Sequence, residues 1–464
     1  MITGKALDEL RNAIGAIHVR TDEAVEALDP GWHPDNLKAG VLVAPESTAE
    51  VAAVLTICRA YGIGVVTHGG RTGLVGGAIS APGEIVLSTV RLNRIVDLDP
   101  VARVAVVEAG VTLEALQQAA QIHRLDPGID IPSRGSATIG GMVSTNAGGI
   151  MAFRNGVMRH RVLGLEAVLA DGSIYSDLTR VVKTTAGYDL KHLFIGAEGT
   201  LGIVTRVALN LDVTPPATVT AFFGLPSIAA VLDVIRMALD SPAGSLRAAE
   251  ALWQSFFHLT ATTQGFADAS VDAGMPLYLL LTLGGADEGA MRDAFEQMFE
   301  RAIERYPNMS GIVATSARQE RDLWRLREDT DAIYRAFPAA PSYDVSVPLS
   351  GIDAYVTRAL DGLRCLDPAF CPFVFGHLAD GNLHIVLNHA GPLRPDRTRA
   401  VEAILYQDLA GFGGSFSAEH GIGAKRVEAL RTYGDPTKRA LMRLVRDAID
   451  PSAILSRNKV IVRP

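Results

Sequence analysis

Residues 64–80 read G-V-V-T-H-G-G-R-T-G-L-V-G-G-A-I-S. A β-branched run leads into glycines at 69, 70, 73, 76 and 77. Glycine accepts positive φ and lets backbone N–H groups close on an anion, as a phosphate-binding loop requires. A P-loop would end in Gly-Lys-Ser/Thr, which is not found here. A nicotinamide-dinucleotide fingerprint would read G-x-G-x-x-G and open a helix. Here the spacing is G-x-x-G-x-x-G, followed by Pro82 and a strand at 85–87. The segment is a phosphate loop of another kind, or simply a loop.

Two further stretches bear on the choice. Residues 126–149, D-P-G-I-D-I-P-S-R-G-S-A-T-I-G-G-M-V-S-T-N-A-G-G, show no periodic pattern, and a loop of that length is rarely idle in a compact domain. Residues 196–203, G-A-E-G-T-L-G-I, add more glycine. Three such loops point to a large, flat, phosphate-bearing ligand wrapped by backbone. Around them, strands are expected at 39–44, 64–67, 85–87, 95–97, 104–108, 162–169 and 200–211. Helices are expected at 47–60, and at 112–123 with Thr112 as N-cap. Pro215-Pro216 marks a boundary. Beyond it, helical stretches at 228–239, 288–306 and 317–337 alternate with strands at 277–283 and 372–387, and the chain is helical again from 437. The fold class is α+β, with an antiparallel sheet in the second half. The expected domains are 1–215, 216–425 and a C-terminal helical segment 426–464.

Within the second domain, residues 373–388 read F-V-F-G-H-L-A-D-G-N-L-H-I-V-L-N. Asp-Gly between apolar runs is a strong hairpin signal, because a type I′ turn needs positive φ at both central positions. Centring the turn on Asp380-Gly381 sets His377 opposite His384. Directly opposed residues hold their Cβ atoms roughly 4.5–5.5 Å apart, so the two imidazoles can share one ion. A chance histidine pair on an ordinary hairpin is the other reading.

Bulk properties narrow the field. The chain has 464 residues, 48% hydrophobic and 20% charged, with net charge −8. It can bury a sizeable core, and without a Lys/Arg block a nucleic-acid partner is not expected. Leu7, Leu10, Ile14 and Ile17 stand at helical spacing, with charges between them unlike a signal peptide. The apolar runs fall short of the ~20 residues of a membrane helix. A cytoplasmic protein is expected, with peripheral association with the inner membrane left open. Cys58, Cys365 and Cys371 show no C-x-x-C spacing. They are too few for an iron–sulfur cluster and read as small buried residues in a reducing compartment.

The three glycine-rich loops, in this order, resemble the FAD-binding domain of the vanillyl-alcohol-oxidase superfamily. The pattern Gly376-His377 to His384, then Ser417-Ala418-Glu419-His420-Gly421, resembles the FAD-linked D-2-hydroxy acid dehydrogenases of the hydroxyglutarate and lactate type. The resemblance runs from about Val41 to Lys459. It implies an FAD-binding domain of two α+β subdomains and an antiparallel-sheet cap domain for substrate. By resemblance, Gly69, Gly70, Arg71, Thr72, Gly73, Leu74, Gly76 and Gly77 hold the FAD pyrophosphate. Pro132, Gly135, Ser136, Thr138, Gly140, Gly141, Asn146, Gly148 and Gly149 line the flavin and ribityl chain. Glu198, Gly202 and Ile203 lie near the adenine end, and Asn458 returns to the flavin ring. His377, His384 and Glu419 ligate one divalent metal, zinc; His420 is the catalytic base; Arg327 grips a substrate carboxylate. FAD is expected to be non-covalent, although His68 adjoins the glycines.

Three positions depart from the hydroxyglutarate pattern. Ser342 stands where a lysine is usual, Asp331 where a threonine is usual with Thr330 one step early, and Val386 where an asparagine is usual. With Arg327, Thr330, Ser342 and Val386 lining the substrate site, it is less cationic than a dicarboxylate site. A D-lactate-like substrate is then as plausible as a D-2-hydroxyglutarate-like one. The expected partners are a small 2-hydroxy acid and an external electron acceptor: an electron-transfer flavoprotein, a quinone or an iron–sulfur subunit. A homodimer is left open. The alternative is a transferase resembling alkylglycerone-phosphate synthase, which uses FAD without net oxidation.

Overall fold

The computed structural model describes residues 2–462; Met1 and residues 463–464, the ends of the first and last expected segments, lie outside the described residues. The chain forms two compact units. One comprises the chain up to Gly149, Asn155–Thr214, and the chain from Glu419 onward; the other comprises Ile150–Arg154 and Pro215–Ala418. The break at Pro215 falls at the double proline. Residues 419–425, expected in the second domain, group with the first unit.

The first unit has two layered parts. In one, a four-stranded sheet runs in the order Val19–Thr21, Val41–Val43, Glu84–Ser88, Gly64–His68, its last three strands parallel. Helix Thr48–Tyr61 crosses between two of them. Ser47 caps its N-terminus through the Glu50 amide and Gly62 ends it in the left-handed region. In the other, a five-stranded antiparallel sheet runs Ile95–Asp99, Val104–Glu108, Ile203–Asn210, Val162–Val168, Ile174–Asp177. Each sheet has its own apolar core. The N-terminal helix Gly4–Ile14 stops at Gly15, whose φ is 87°, so Ile17 is 81% exposed rather than part of the apolar stripe.

The expected 126–149 loop is partly helical. Thr138 caps a short helix, Ile139–Thr145, which Asn146 ends at φ 53°. Its apolar positions are buried although Gly140 and Gly141 hide the helical period. The cysteine expectation holds at Cys58 only, since Cys365 and Cys371 are exposed.

The second unit is built on a seven-stranded antiparallel sheet. Its order is Ser310–Val313, Ala217–Leu225, Leu277–Gly285, Ser245–Trp253, Phe373–His377, Asn382–Val386, Ser342–Ser346. Alternation sorts the side chains by face. Phe222 stacks on Tyr278 and near Phe257 on one side, while Phe223 meets Phe295 and Phe299 of helix Glu288–Arg305 on the other. The single helix expected at 317–337 is two, Ala317–Glu328 and Asp331–Ala336. Asp329 makes the break: its carboxylate accepts from Arg335 and Gln264.

The hairpin register differs from expectation. His377 pairs with Asn382, and His384 pairs with Phe375. Gly381 has φ 81°, but Asp380 is not in the positive-φ region, so the type I′ turn does not form. Instead, residues 378–381 make a four-residue loop in which the His377 carbonyl accepts from the amides of Asp380 and Gly381. The shift moves the partner by two residues, which preserves the face.

Candidate active site

In the first unit the glycine loops pack backbone to backbone. A Cβ at Gly69 would lie 2.2 Å from Thr138 Oγ1, and one at Gly70 would lie 2.0 Å from the Ser136 carbonyl oxygen. The close approach explains glycine at both positions. Among the described residues, no amide of 69–77 donates to a protein acceptor. The Arg71 side chain buries its Nε with no partner. His68 is fully buried. Its Nε2 donates to the Ala78 carbonyl at 2.8 Å, and burial pushes its pKa down to about 4.

The chain from Glu419 is pinned to these loops. The Gly149 amide donates to Glu419 Oε1 at 2.8 Å. Glu198, at φ 52°, accepts from the amides of Ile422 and Gly423 at 2.7 and 2.8 Å. Burial raises the Glu198 pKa against the pull of those amides. His420 thus lies between two anchored points. With both its oxygens engaged by backbone, Glu198 secures the returning segment rather than facing a ligand. Ile203 is buried in the core, and Gly202 abuts Phe194, leaving backbone as their route to any ligand. Pro132, Gly135 and Ser136 are exposed, whereas Gly140, Gly148 and Gly149 are buried.

The C-terminal strap lies along strand Gly64–His68, where Ser456 donates its amide to the Val65 carbonyl. Ser456, Asn458 and Val460 all have positive φ. Such strain persists only where surroundings over-determine it. Here Arg446 takes the carbonyls of Leu455, Ser456, Lys459 and Ile461. Asn458 is exposed, but Lys459 is 2% exposed, and its ammonium makes no ion pair among the described residues, the Glu84 and Glu198 carboxylates acting on it from farther off. Burial pushes its pKa down to about 8.

In the second unit the register lays out the polar groups in rows. Phe222, Leu280, Glu250, His377, Asn382 and Ser346 form one cross-strand row. Leu252, Phe375, His384 and Asp344 form the next. Phe373, Val386 and Ser342 form the third. The His377 and His384 rings lie 5.5 Å apart, edge to face, and their nitrogens approach within 4.8 Å. Each imidazole has a carboxylate at Nδ1: Glu250 Oε1 at 2.6 Å from His377, and Asp344 Oδ1 at 3.7 Å from His384. Asp344 also accepts from Asn382 Nδ2 and the Ala418 amide. Arg327, 6% exposed, places Nε 2.7 Å from Glu250 Oε2 and its Cζ 4.9 Å from the Phe375 ring centroid. Burial raises the Glu250 pKa, but His377 and Arg327 outweigh it and hold the carboxyl below its ordinary range. Ser342 hydrogen-bonds Tyr334, Thr330 is half-buried, and Asp331 is exposed.

Residues 39–177 match the FAD binding domain family, and residues 214–460 match the family of FAD linked oxidases, C-terminal domain. A D-2-hydroxyglutarate dehydrogenase of Xanthomonas citri pv. viticola is 35% identical over 477 residues, covering 99% of this chain and 97% of its own. The chain belongs to the FAD-linked oxidase family. The mitochondrial D-2-hydroxyglutarate dehydrogenase of Bos taurus is 35% identical across 91% of this FAD-linked oxidase and 76% of its own length. Solved structures agree in fold. A 4-ethylphenol oxidase from Gulosibacter chungangensis superposes with TM-score 0.75 at 20% identity, covering 99% of this chain and 97% of that one. An alkyldihydroxyacetonephosphate synthase gives 0.71 at 14% identity, with 98% and 85% covered.

This FAD-linked oxidase is an FAD-dependent oxidoreductase, and its first unit fits the cofactor. Uncommitted amides, a buried orphan Arg71 Nε and the cation of the largely buried Lys459 together suit a dianionic pyrophosphate and a polar ring system. Glu250, Asp344 and Lys459 escaped sequence reasoning. Glu250 did leave a signal, a lone carboxylate inside the apolar strand S-L-R-A-A-E-A-L-W. Two other histidines stay outside these clusters: His258 Nε2 donates to the Ala273 carbonyl, and His389 engages Gly391.

Proposed function

We propose that this FAD-linked oxidase oxidises a D-2-hydroxy acid to the 2-oxo acid with the help of a divalent ion, zinc, and passes the electrons to an external acceptor. The observation that carries this reading is the imidazole pair, with Glu250 hydrogen-bonded behind the His377 ring. A carboxylate bonded to Nδ1 fixes the tautomer that leaves Nε2 as a metal donor, as is usual for metal-bound histidine. Two histidines and one carboxylate, with positions left open, make a catalytic zinc set. We take Glu419 as the carboxylate, as the family resemblance implies.

FAD, when bound, supplies the hydride acceptor. A divalent ion, when bound, supplies Lewis acidity of the kind that lowers the pKa of bound water from ~15.7 to ~7. His377, whose Nε2 keeps its lone pair, would hold it together with His384 and Glu419. A His420 ring nitrogen takes the proton of the substrate hydroxyl, a task suited to imidazole near neutral pH. The Arg327 guanidinium, beside Glu250 through Nε, holds a substrate carboxylate through its Nη groups.

The relatives' names favour D-2-hydroxyglutarate. The row beside His384 favours an uncharged tail, because Phe373, Val386 and Ser342 offer no cation for a second carboxylate. One lost charge-assisted hydrogen bond is worth about 1.5–3 kcal/mol, so the dicarboxylate is expected to bind about tenfold or more weakly than a matched uncharged-tail acid. Anaerobic flavin bleaching across a panel of D- and L-2-hydroxy acids tests this. D acids with uncharged tails should bleach fastest and L acids not at all. Bleaching by neither enantiomer of any acid would overturn the reading. The 14% likeness to a synthase is a likeness of fold, and no feature of the site favours transferase chemistry.

A further inference from the structure

Glu250 is committed on both sides. It lies mid-strand in Ser245–Trp253, directly across from His377, and is 1% exposed. Oε1 is 2.6 Å from His377 Nδ1, and Oε2 is 2.7 Å from Arg327 Nε. A carboxylate only accepts, so Nδ1 must carry the hydrogen and Nε2 must present its lone pair away from Glu250. The guanidinium is held by charge and by the ring: Nε lies against Oε2 as a close ion pair without hydrogen-bond alignment, and Cζ sits 4.9 Å from the Phe375 centroid. A planar guanidinium held at one edge has little freedom at the other.

We propose that Glu250 is a positioning residue that joins His377 and Arg327 into one array, so that losing its carboxylate weakens metal binding and substrate-carboxylate binding together. This rests on the metal reading above. A carboxylate that merely neutralised two buried cations would affect stability and leave the affinity of the ion unchanged. In Glu250→Gln, the side-chain amide can offer its oxygen to only one partner. If the oxygen serves Arg327, the NH2 faces Nδ1, drives the hydrogen to Nε2 and removes the donor. If it serves His377, the NH2 faces the Arg327 N–H and the guanidinium must swing.

The test is titration of metal-stripped, flavin-containing protein with Co²⁺, followed by its visible absorption, together with KM for a D-2-hydroxy acid. Glu250→Gln should bind Co²⁺ about 10–100-fold more weakly, raise KM, and keep its flavin. Glu250→Asp, which retains a carboxylate, should recover part of the Co²⁺ affinity. Arg327→Lys covers the case in which Glu250→Gln fails to fold. It touches no metal, yet it should also weaken Co²⁺, by several-fold. Wild-type Co²⁺ affinity in both variants would overturn the positioning role while leaving the metal site intact. No Co²⁺ uptake by the wild type would overturn the metal reading and this inference with it.

Discussion

Lys459 shows what a single buried side chain reports about a ligand. A lysine only 2% exposed is costly to keep charged, and its pKa falls from 10.5 to about 8 because of burial. The sign follows from proton linkage. Between about pH 8 and 10.5 the folded state binds fewer protons than the unfolded one, so stability of the FAD-free protein rises with pH across that window. Below about pH 8 the cost is fully present, on the order of 3 kcal/mol. Lys459→Met should therefore raise the melting temperature of the FAD-free protein at neutral pH, with the gain shrinking above pH 8, and should weaken FAD binding. A variant that is less stable without FAD, or that binds FAD as tightly as wild type, would contradict this. The sequence did not single out Lys459, because nothing in N-K-V shows that Arg446 and the strand at Val65 bury it. Glu250 is 127 residues from the imidazole it holds and becomes its neighbour only through the sheet register. His377 and His384 were legible because one short hairpin carries both.

At the scale of elements, the glycines separate by cause. Gly70 has no need of unusual φ; a Cβ there would strike the Ser136 carbonyl carbon and oxygen at 2.7 and 2.0 Å. Both obstacles are backbone, so Gly70→Ala must drive two loops apart, an overpacking that costs about 1–3 kcal/mol. The expected outcome is protein purified with less than about a tenth of its flavin, and a normal flavin-to-protein absorbance ratio would count against it. Elements with strong punctuation were readable: helix Thr48–Tyr61 between Ser47 and Gly62, and helix Ile228–Leu239 after Ser227. Helix Ile139–Thr145 was hidden because its glycines interrupt the apolar period that reveals helices. The hairpin slipped by two because Asp380-Gly381 resembles a two-residue turn, while only Gly381 takes positive φ. That error preserved the site, since a two-residue shift leaves both imidazoles on one face.

For the molecule as a whole, the cofactor domain followed from the order of three glycine-rich loops and the antiparallel cap sheet from the pattern beyond Pro215, whereas the order of that sheet's strands did not follow. Five of its seven strands carry no turn signal that fixes their pairing, and the order with Ser342–Ser346 at one edge emerges only from long-range contacts. That sheet presents two imidazoles, with Glu250 bonded to His377. The central claim of the proposal is that His377, His384 and Glu419 would hold an ion whose Lewis acidity would ease the loss of the substrate hydroxyl proton. Its most direct test is the anaerobic stopped-flow rate of flavin reduction by a D-2-hydroxy acid, measured before chelation, after chelation and after zinc is restored. The account predicts a loss of about 10²-fold or more on chelation, with full recovery on adding about one equivalent of zinc. A chelated enzyme that still holds FAD and is reduced at the original rate would contradict it.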